Sequence, residues 1–275
     1  MIKLGILAGS DPEVELVEEI QQLKIFKVTG VLRPGEDKNE EKCAINDLLD
    51  FSDSLYVDEL EEPKIESLKS FLRRSNHVFL KKPFFSSLSG IRQLISFQQE
   101  AGSVIQLFNP CLFHPEILKL RTKLETPLLI DMEITIADET TLEQELLNML
   151  IFLSGAEKSD FRKLEVFGLQ GTKHSLINLH IQFVSGSIGQ LKIFTNKDKP
   201  GNCKIHIHQK ESPPISLEMP AVEEKGKKAE MQALKNFAKG IRQKDCMLVS
   251  LNELFQAVSA LLEIKEKLKY PNIKL

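Results

Sequence analysis

Short apolar runs alternate with amphipathic, helix-like stretches through the first 108 residues, and this alternation limits the fold more than any other feature. Each apolar run has the length of a strand, and the apolar spacing between the runs is typical of helices. Strands separated by helices pair in parallel, because each connection must return across the sheet. The sequence therefore predicts an α/β fold with a doubly wound parallel sheet. The predicted strands are Ile2–Leu7, Phe26–Leu32, Ser54–Val57, His77–Leu80 and Val104–Phe108.

The second half of the chain has a different rhythm, in which strand-like runs follow one another with few helices between them. One helix is predicted over Leu142–Leu153, ended by Ser154 and Gly155, and helical stretches close the chain. We expect an α+β domain with an open, largely antiparallel sheet and helices packed on one face. The predicted domains are 1–120 and 121–275, with a C-terminal helix that can pack back on the first. The predicted strands are Leu128–Ile136, Leu164–Gly168, Ile177–Phe183, Gly189–Phe194 and Cys203–Gln209.

Composition excludes several functional classes. The 36 Lys+Arg and 39 Asp+Glu leave a formal net charge of −3, which gives no overall attraction to nucleic acid or an anionic membrane. No stretch approaches the roughly 20 apolar residues that a membrane span needs. The four cysteines are scattered without a C-x-x-C pair, so we expect no metal site. Unpaired cysteines also favour a reducing, cytoplasmic location.

The turn after the first predicted strand reads AGSDPE over residues 8–13, at the place where doubly wound sheets bind dinucleotide phosphates. Ala8, Gly9 and Ser10 are small enough to let a diphosphate approach the backbone, and the following helix supplies N–H groups. The full fingerprint is G-x-G-x-x-G; one glycine is present, and Asp11 and Glu13 add negative charge. Two interpretations stay open, a dinucleotide-binding turn and a plain structural turn.

Three further residues are candidates because of their position after predicted strands. Arg33 ends the second strand, where a basic residue would bind the 2′-phosphate of NADP, so NADP is preferred over NAD. The alternative for Arg33 is a solvated loop arginine. Lys82 precedes Pro83 after the fourth strand and is a candidate cofactor ligand and proton donor, or else a surface lysine. His114, which precedes Pro115 near the expected cleft, is a candidate substrate ligand.

Three segments together resemble a known family. Residues 75–83 read SNHVFLKKP, residues 109–115 read NPCLFHP, and residues 183–189 read FVSGSIG. They are similar, in this order, to the G-K-H-V-x-x-E-K-P, N-x-x-R-F-x-P and F-x-x-G-a-x-G elements of the Gfo/Idh/MocA family. The family is named for glucose–fructose oxidoreductase and inositol dehydrogenase. The resemblance covers nearly the whole chain and implies a Rossmann-type dinucleotide-binding domain over 1–120 and a substrate and oligomerisation domain over 121–275.

The chain departs from the family pattern at positions that carry chemistry. Lys81 stands where the family has the glutamate of E-K-P, and Leu112 where it has an arginine. The family carries D-x-G-x-H-x-x-D on the helix that begins the second domain, and residues 141–148 read TLEQELLN. The resemblance places Glu145 at the histidine position and Asn148 at the second aspartate position, on one helical face. Glu145 would act as an acid or base and Asn148 would orient a substrate hydroxyl, or the helix is packed and carries no chemistry.

The resemblance implies an NAD(P)-dependent oxidoreductase that acts on a sugar, a polyol or a related hydroxy compound. Lys82, Glu145 and Asn148 would be its catalytic residues. The alternative is a catalytically inactive relative that uses the scaffold to bind a ligand or a partner, which the departures from the motifs favour. We also expect a homodimer or homotetramer through the second sheet, because helices cover one of its faces and the other, if apolar, needs burial.

Overall fold

The chain divides into two compact units in the structure, which is a computed structural model. The first unit is Met1–Asn109 with Lys227–Asn252, and the second is Pro110–Gly226 with Glu253–Leu275. The domain boundary predicted near residue 120 stays a prediction. The structure describes residues 1–8, 14–32, 47–58, 68–83, 87–121, 129–136, 141–170, 175–196, 201–211, 213–220, 226–243 and 249–268.

The first unit is built on a five-stranded sheet, sheet A, in the order β2-β1-β3-β4-β5. Each neighbouring pair of these strands is parallel. The doubly wound parallel sheet predicted from the sequence is therefore confirmed, with the fifth strand one residue shorter at each end. Its strands are β1 (Ile2–Leu7), β2 (Phe26–Leu32), β3 (Ser54–Val57), β4 (His77–Leu80) and β5 (Ile105–Leu107).

Helices α1 (Val14–Gln22), α2 (Leu88–Ala101) and α5 (Gly226–Gln243) pack in the first unit, where residues 47–51 and 68–72 are also helical. The ends of α2 follow from its sequence. The Ser87 hydroxyl accepts a hydrogen bond from the Gly90 N–H, which satisfies one of the free donors of the first turn. Gly102 ends the helix at φ 63°, a left-handed conformation in which a residue without Cβ is unstrained.

Helix α5 comes from far along the chain and covers part of sheet A. Phe237 of α5 contacts Phe79 of β4 at 5.8 Å between ring centroids, and Phe79 stacks on Tyr56 of β3. The Gln106 side chain of β5 donates to the Ala233 carbonyl of α5 at 3.0 Å. Right-handed crossovers put α1 on one face and the connections toward β5 on the other. Helix α5 thereby covers part of β3–β5.

The second unit is built on a six-stranded sheet, sheet B, in the order β11-β10-β6-β9-β8-β7. Of its described pairs, β6 and β9 are parallel and the others antiparallel, so the largely antiparallel sheet is confirmed. The sequence did not predict β11, which ends in a proline, as edge strands tolerate. The strands are β6 (Leu129–Ile136), β7 (Phe161–Gln170), β8 (Ser175–Phe183), β9 (Ile188–Thr195), β10 (Asn202–His208) and β11 (Ile215–Pro220).

The second unit contains α3 (Pro115–Arg121), α4 (Leu142–Glu157) and α6 (Leu251–Leu268). The sequence predicted that α4 ends at Ser154 and Gly155, and this was wrong. A Cβ at Gly155 would lie 3.2 Å from a Leu112 methyl, so the glycine allows close packing inside the helix rather than ending it. The helix ends instead at Lys158, which has φ 52°.

The two faces of sheet B differ in chemistry. Met132 of β6 and Leu191 of β9 are fully buried, whereas their neighbours Glu133 and Lys192 face the other way and are more exposed. Lys192 Nζ lies 3.5 Å from Asp131 on this outward face. The centre of the face is thus charged rather than apolar, so the condition behind the expected homo-oligomer is not met there. The oligomeric state stays a prediction.

None of the helices within the described ranges has both the length and the apolar character to cross a membrane.

Candidate functional site

The carboxyl ends of β1 and β3 lie side by side and form the crevice where open α/β sheets bind ligands. The chain leaves β1 toward β2 on one side and continues from β3 toward β5 on the other, so the topological switch point lies between β1 and β3. The Asp58 N–H after β3 donates to the Leu7 carbonyl at 2.9 Å, which fixes the two strand ends together. Any ligand of sheet A is therefore expected at this edge.

Of the cofactor-binding residues predicted in the first turn, Ala8 is described. It is buried, and its N–H donates to the Leu32 carbonyl at 2.9 Å. Gly9, Ser10 and Arg33 lie outside the described residues, and their predicted roles stay predictions.

Two lysines follow β4, and the structure distinguishes them. Lys82, the predicted catalytic residue, is exposed, and Pro83 after it is buried. Lys81 is half-buried, and its Nζ lies 3.1 Å from Asp58 Oδ1. The two groups form an ion pair without hydrogen-bond alignment, and no described residue donates a hydrogen bond to this buried oxygen. Lys81 is thus the lysine that a described ion pair holds to a neighbouring acid, whereas the prediction named Lys82.

A buried carboxyl completes this group. Glu230 of α5 is 5% exposed, and the Tyr56 hydroxyl of β3 donates to its Oε1. Burial raises the pKa of Glu230, while the Lys81 charge and the Tyr56 hydrogen bond oppose this rise and the charges of Asp58 and Glu19 add to it. We call Tyr56, Asp58, Lys81 and Glu230 the edge cluster.

Sequence reasoning missed the edge cluster, although one signal was present. Glu230 lies four and seven residues before Leu234 and Phe237, so it belongs to the apolar face of its helix. An acid on such a face must find polar partners in the folded protein, because burying an unpaired carboxylate is costly. The partners come from β3 and β4, which the sequence alone does not bring to α5.

In the second unit, Glu145 and Asn148 lie one turn apart on α4, as predicted. Asn148 is buried and Glu145 half-buried. Glu145 lies beside a thiol: the pKa of Cys111 is raised well above its usual range by a hydrogen bond with Cys203, by burial, and by the charges of Cys203 and Glu145. The charge of Glu145 thus acts on a buried thiol that is hydrogen-bonded to Cys203.

His114 belongs to the same unit and to the turn that carries Cys111. Its N–H donates to the Cys111 carbonyl at 3.1 Å, and its carbonyl accepts from the Leu118 N–H at 2.9 Å, in the first turn of α3. The structure therefore places Glu145, His114 and Cys111 in the same unit. Ala8 and Lys82 belong to the first unit.

No family model and no curated protein matches this sequence. The fold, however, is similar to those of solved dehydrogenases. One is a UDP-N-acetylglucosamine 3-dehydrogenase from Acidithiobacillus ferrooxidans, at 12% identity over 96% of this chain and 97% of that chain, with a TM-score of 0.75. A second is a dehydrogenase from Chromobacterium violaceum, at 13% identity over 97% and 95%, with a TM-score of 0.74.

A third is a scyllo-inositol dehydrogenase from Lactobacillus casei, solved with NAD(H) and scyllo-inositol bound. It matches at 12% identity over 97% of this chain and 95% of that chain, with a TM-score of 0.72. The likeness extends over nearly the full length of all three. This chain has the fold of the Gfo/Idh/MocA-type dehydrogenases. The resemblance stated from the three sequence motifs is therefore confirmed for the fold.

Within the Gfo/Idh/MocA-type fold, the residues at the crevice of sheet A can be tested against a dinucleotide. Ala8 is small and buried where a diphosphate would approach the backbone. Asp58 Oδ1 is a buried acceptor that lacks an aligned donor among the described residues, and a ribose hydroxyl could supply one. The exposed ammonium of Lys82 can pair with a phosphate or a hydroxyl. These residues fit a nicotinamide dinucleotide.

Proposed function

We propose that this protein is an NAD(P)-dependent oxidoreductase that acts on a sugar, a polyol or a related hydroxy compound. The observation that carries the proposal is the crevice between β1 and β3 of a parallel sheet, lined by Ala8, Asp58 and the lysines after β4. The likeness to solved sugar and inositol dehydrogenases over nearly the whole chain supports the substrate class.

The cofactor would be held by Ala8, Gly9 and Ser10 at its diphosphate and by Lys82 near its reactive end. Arg33 would pair with a 2′-phosphate, which gives NADP a weak preference over NAD. When bound, the nicotinamide supplies the hydride acceptor or donor.

The chain's own residues would handle the proton and the substrate. Lys82 would give or take a proton at Nζ, and Glu145 would take the place of the family histidine as an acid or base at its carboxyl. The Asn148 amide would orient a substrate hydroxyl, and His114 would contribute a further hydrogen bond. Glu145 keeps its proton-transfer role in this proposal although a buried thiol lies beside it.

Cofactor binding is the first test. The protein is titrated with NADPH and with NADH while nicotinamide fluorescence is followed, and saturable binding of one of them is expected. If neither binds at sub-millimolar concentration, the oxidoreductase proposal is wrong and the non-catalytic alternative takes its place. Arg33→Ala should weaken NADPH more than NADH, and equal losses would remove the preference for NADP.

The role of Lys82 needs a separate test, once a substrate is found. Lys82→Ala should reduce turnover far more than it reduces cofactor affinity, because proton transfer stabilises the transition state. Lys239→Ala, at an exposed position of α5, is the control for removal of a lysine charge. Unchanged turnover in Lys82→Ala would remove Lys82 from the mechanism.

The proposal includes a homodimer or homotetramer through the outward face of sheet B, and a cytoplasmic location. Because the centre of that face carries charges such as Asp131 and Lys192, the assembly should loosen as salt is raised. Light scattering at micromolar protein concentration tests this, and a monomer at low salt contradicts it. Cys111 and Cys203 are free thiols in contact, which supports a reducing location.

A further inference from the structure

We propose that Glu230 couples the binding of an anionic dinucleotide at the carboxyl edge of sheet A to the uptake of one proton. The inference rests on the proposed function, because it uses the same crevice. It concerns a residue of α5 to which neither the motifs nor the resemblance gives a role.

The position of Glu230 supports this coupling. Its carboxyl is 5% exposed and is held by the Tyr56 hydroxyl, one residue before the end of β3. Asp58, two residues after Tyr56, follows β3. Its N–H donates a hydrogen bond of 2.9 Å to the Leu7 carbonyl at the end of β1. The carboxyl therefore lies under the switch-point crevice rather than elsewhere on the sheet.

Among the described residues, the charges that act on Glu230 come from three elements. Lys81 after β4 is the cation, Asp58 after β3 and Glu19 of α1 are the other carboxyls, and Tyr56 is a neutral donor. With all carboxyls ionised, one positive charge faces three negative charges. A diphosphate at the same edge would add further negative charge. Its binding must therefore favour the protonated form of the cluster, which carries one negative charge fewer.

Glu230 is the member of the cluster suited to take up that proton. Asp58 is already paired with the Lys81 ammonium at 3.1 Å. Glu230 accepts its described side-chain hydrogen bond from a neutral phenol, and burial raises its pKa. By linkage, an anion that favours protonated Glu230 binds more tightly at low pH, and its affinity falls as pH rises through the titration of this carboxyl.

Calorimetry on the full chain tests the coupling. NAD⁺ and NADP⁺ are titrated into wild-type protein and Glu230→Gln from about pH 5 to about pH 8, in two buffers of different ionisation enthalpy. Wild-type protein should take up as much as about one proton per dinucleotide. As pH rises, its affinity for the dinucleotide should fall by up to about tenfold for each unit by which binding shifts the pKa of Glu230. Glu230→Gln should take up fewer protons per dinucleotide than wild type, by the amount that Glu230 binds. The difference between the two proteins cancels any proton that the ligand itself binds or releases.

The matched control is Glu157→Gln. Burial also raises the pKa of Glu157. This residue, however, lies on α4 of the second unit, where it accepts a hydrogen bond of 2.8 Å from the Ser185 hydroxyl. This variant should keep the wild-type proton uptake. Circular dichroism and the thermal midpoint of Glu230→Gln at neutral pH verify that the variant is folded.

The outcomes are separable. Dinucleotide binding with equal proton uptake in wild type and Glu230→Gln, or with none in either, overturns this inference and leaves the proposed function standing. Loss of uptake in Glu157→Gln as well would also overturn it, because the effect would not be specific to the edge cluster. If neither dinucleotide binds wild-type protein at any pH, the proposed function fails and this inference fails with it.

Discussion

The two sheets of this protein handle their polar groups in opposite ways. All four residues of β3 in sheet A are buried, because helices cover both faces of that sheet, whereas β6 of sheet B alternates buried and more exposed residues. The charged side chains Asp58 and Lys81 of sheet A accordingly lie just beyond strand ends. Those of sheet B lie along a face, as Asp131 and Lys192 do.

This difference indicates which sheet can hold a small ligand and which can meet another protein surface. A strand end offers convergent polar groups beside apolar cover, which is typical of small-molecule sites. A charged, regular face is suited to a broad surface and does not enclose a ligand. Substitutions in the two sheets test whether the sheets depend on their cover in these different ways.

The largest effect is expected where a distant segment covers sheet A. Phe237→Ala of α5 removes a fully buried ring from Phe79 and should cost about 3–5 kcal/mol of unfolding free energy. Phe167→Ala is the control in sheet B, where the ring is 60% exposed, and should cost less than about 1 kcal/mol. Urea denaturation measures both. Similar losses would show that α5 is no more important to sheet A than an outward residue is to sheet B.

The alternation in sheet B predicts a contrast between adjacent residues of β9. Leu191→Ala, at a fully buried position, should cost about 2–5 kcal/mol. Gln190→Ala, on the outward face, should cost less than about 1 kcal/mol in the isolated chain. Chemical denaturation of both variants measures the contrast. A large loss for Gln190→Ala at high protein concentration alone would indicate that the outward face is buried in an assembly.

Two glycines, one in each unit, are predicted to resist substitution for different reasons. A Cβ at Gly5 of β1 would lie 2.7 Å from Ser52 Oγ and 2.9 Å from Leu48 Cγ, so Gly5→Ala should cost about 1–3 kcal/mol by overpacking. Gly186 has φ +90° and open space around it, so Gly186→Ala should cost about 1–2 kcal/mol through backbone strain.

A second substitution separates these two causes. Leu48→Ala should relieve part of the Gly5→Ala cost in a double-mutant cycle, because it removes two of the three atoms that the new methyl group would meet. At position 186, Asn should be tolerated better than Ala, because Asn adopts left-handed conformations more readily. An additive Gly5→Ala and Leu48→Ala pair would contradict the steric explanation.

The smallest effect is a pH dependence that differs between the buried carboxyls. Burial raises the pKa of Glu230 above its ordinary value of 4.5. As pH rises, the unfolded chain therefore loses this proton at a lower pH than the folded protein does. The contribution of Glu230 to stability is full at low pH and is lost as pH rises above 4.5. Glu230→Gln should be more stable than wild type at neutral pH and about equal to it in acid.

Thermal midpoints across pH measure this effect, with Glu157→Gln as the comparison in the second unit. Burial also raises the pKa of Glu157, against the opposing effect of two serine hydroxyls, so a pH dependence of the same sign is expected there. A Glu230→Gln variant that is less stable than wild type at neutral pH would show that the ionised carboxylate is well paired with Lys81, against the argument from burial.

Periodicity in the sequence was sufficient to predict most elements of both sheets. The strands of sheet A were predicted to within a residue because each is a short apolar run between helices. Strand β11 was missed, because an edge strand with a proline at its end carries a weak pattern. The extent of α4 was misjudged at Gly155, where a packing contact with Leu112 has the same sequence signature as a helix end.

The candidate site could be predicted only where its residues are close together in the sequence. Glu145 and Asn148 were expected on one face of a helix, and they lie on one helix in the structure. The buried Cys111 beside Glu145 was not predicted, because Cys111 and Cys203 are far apart in the chain and nothing local relates them. Lys82 was chosen over Lys81 by its place in a motif, and burial and pairing were visible only in the folded chain.

The sequence by itself determined the alternation of strands and helices, the change of rhythm after the first domain, and the turn and strand ends where a ligand would bind. These are local properties, since the side chains that specify them are within a few residues of one another. The tertiary structure alone decided that Glu230 of α5 meets Tyr56 of sheet A, 174 residues away in the chain. A buried carboxyl takes its properties from the groups that surround it in space, and the local pattern around Glu230 does not specify those groups.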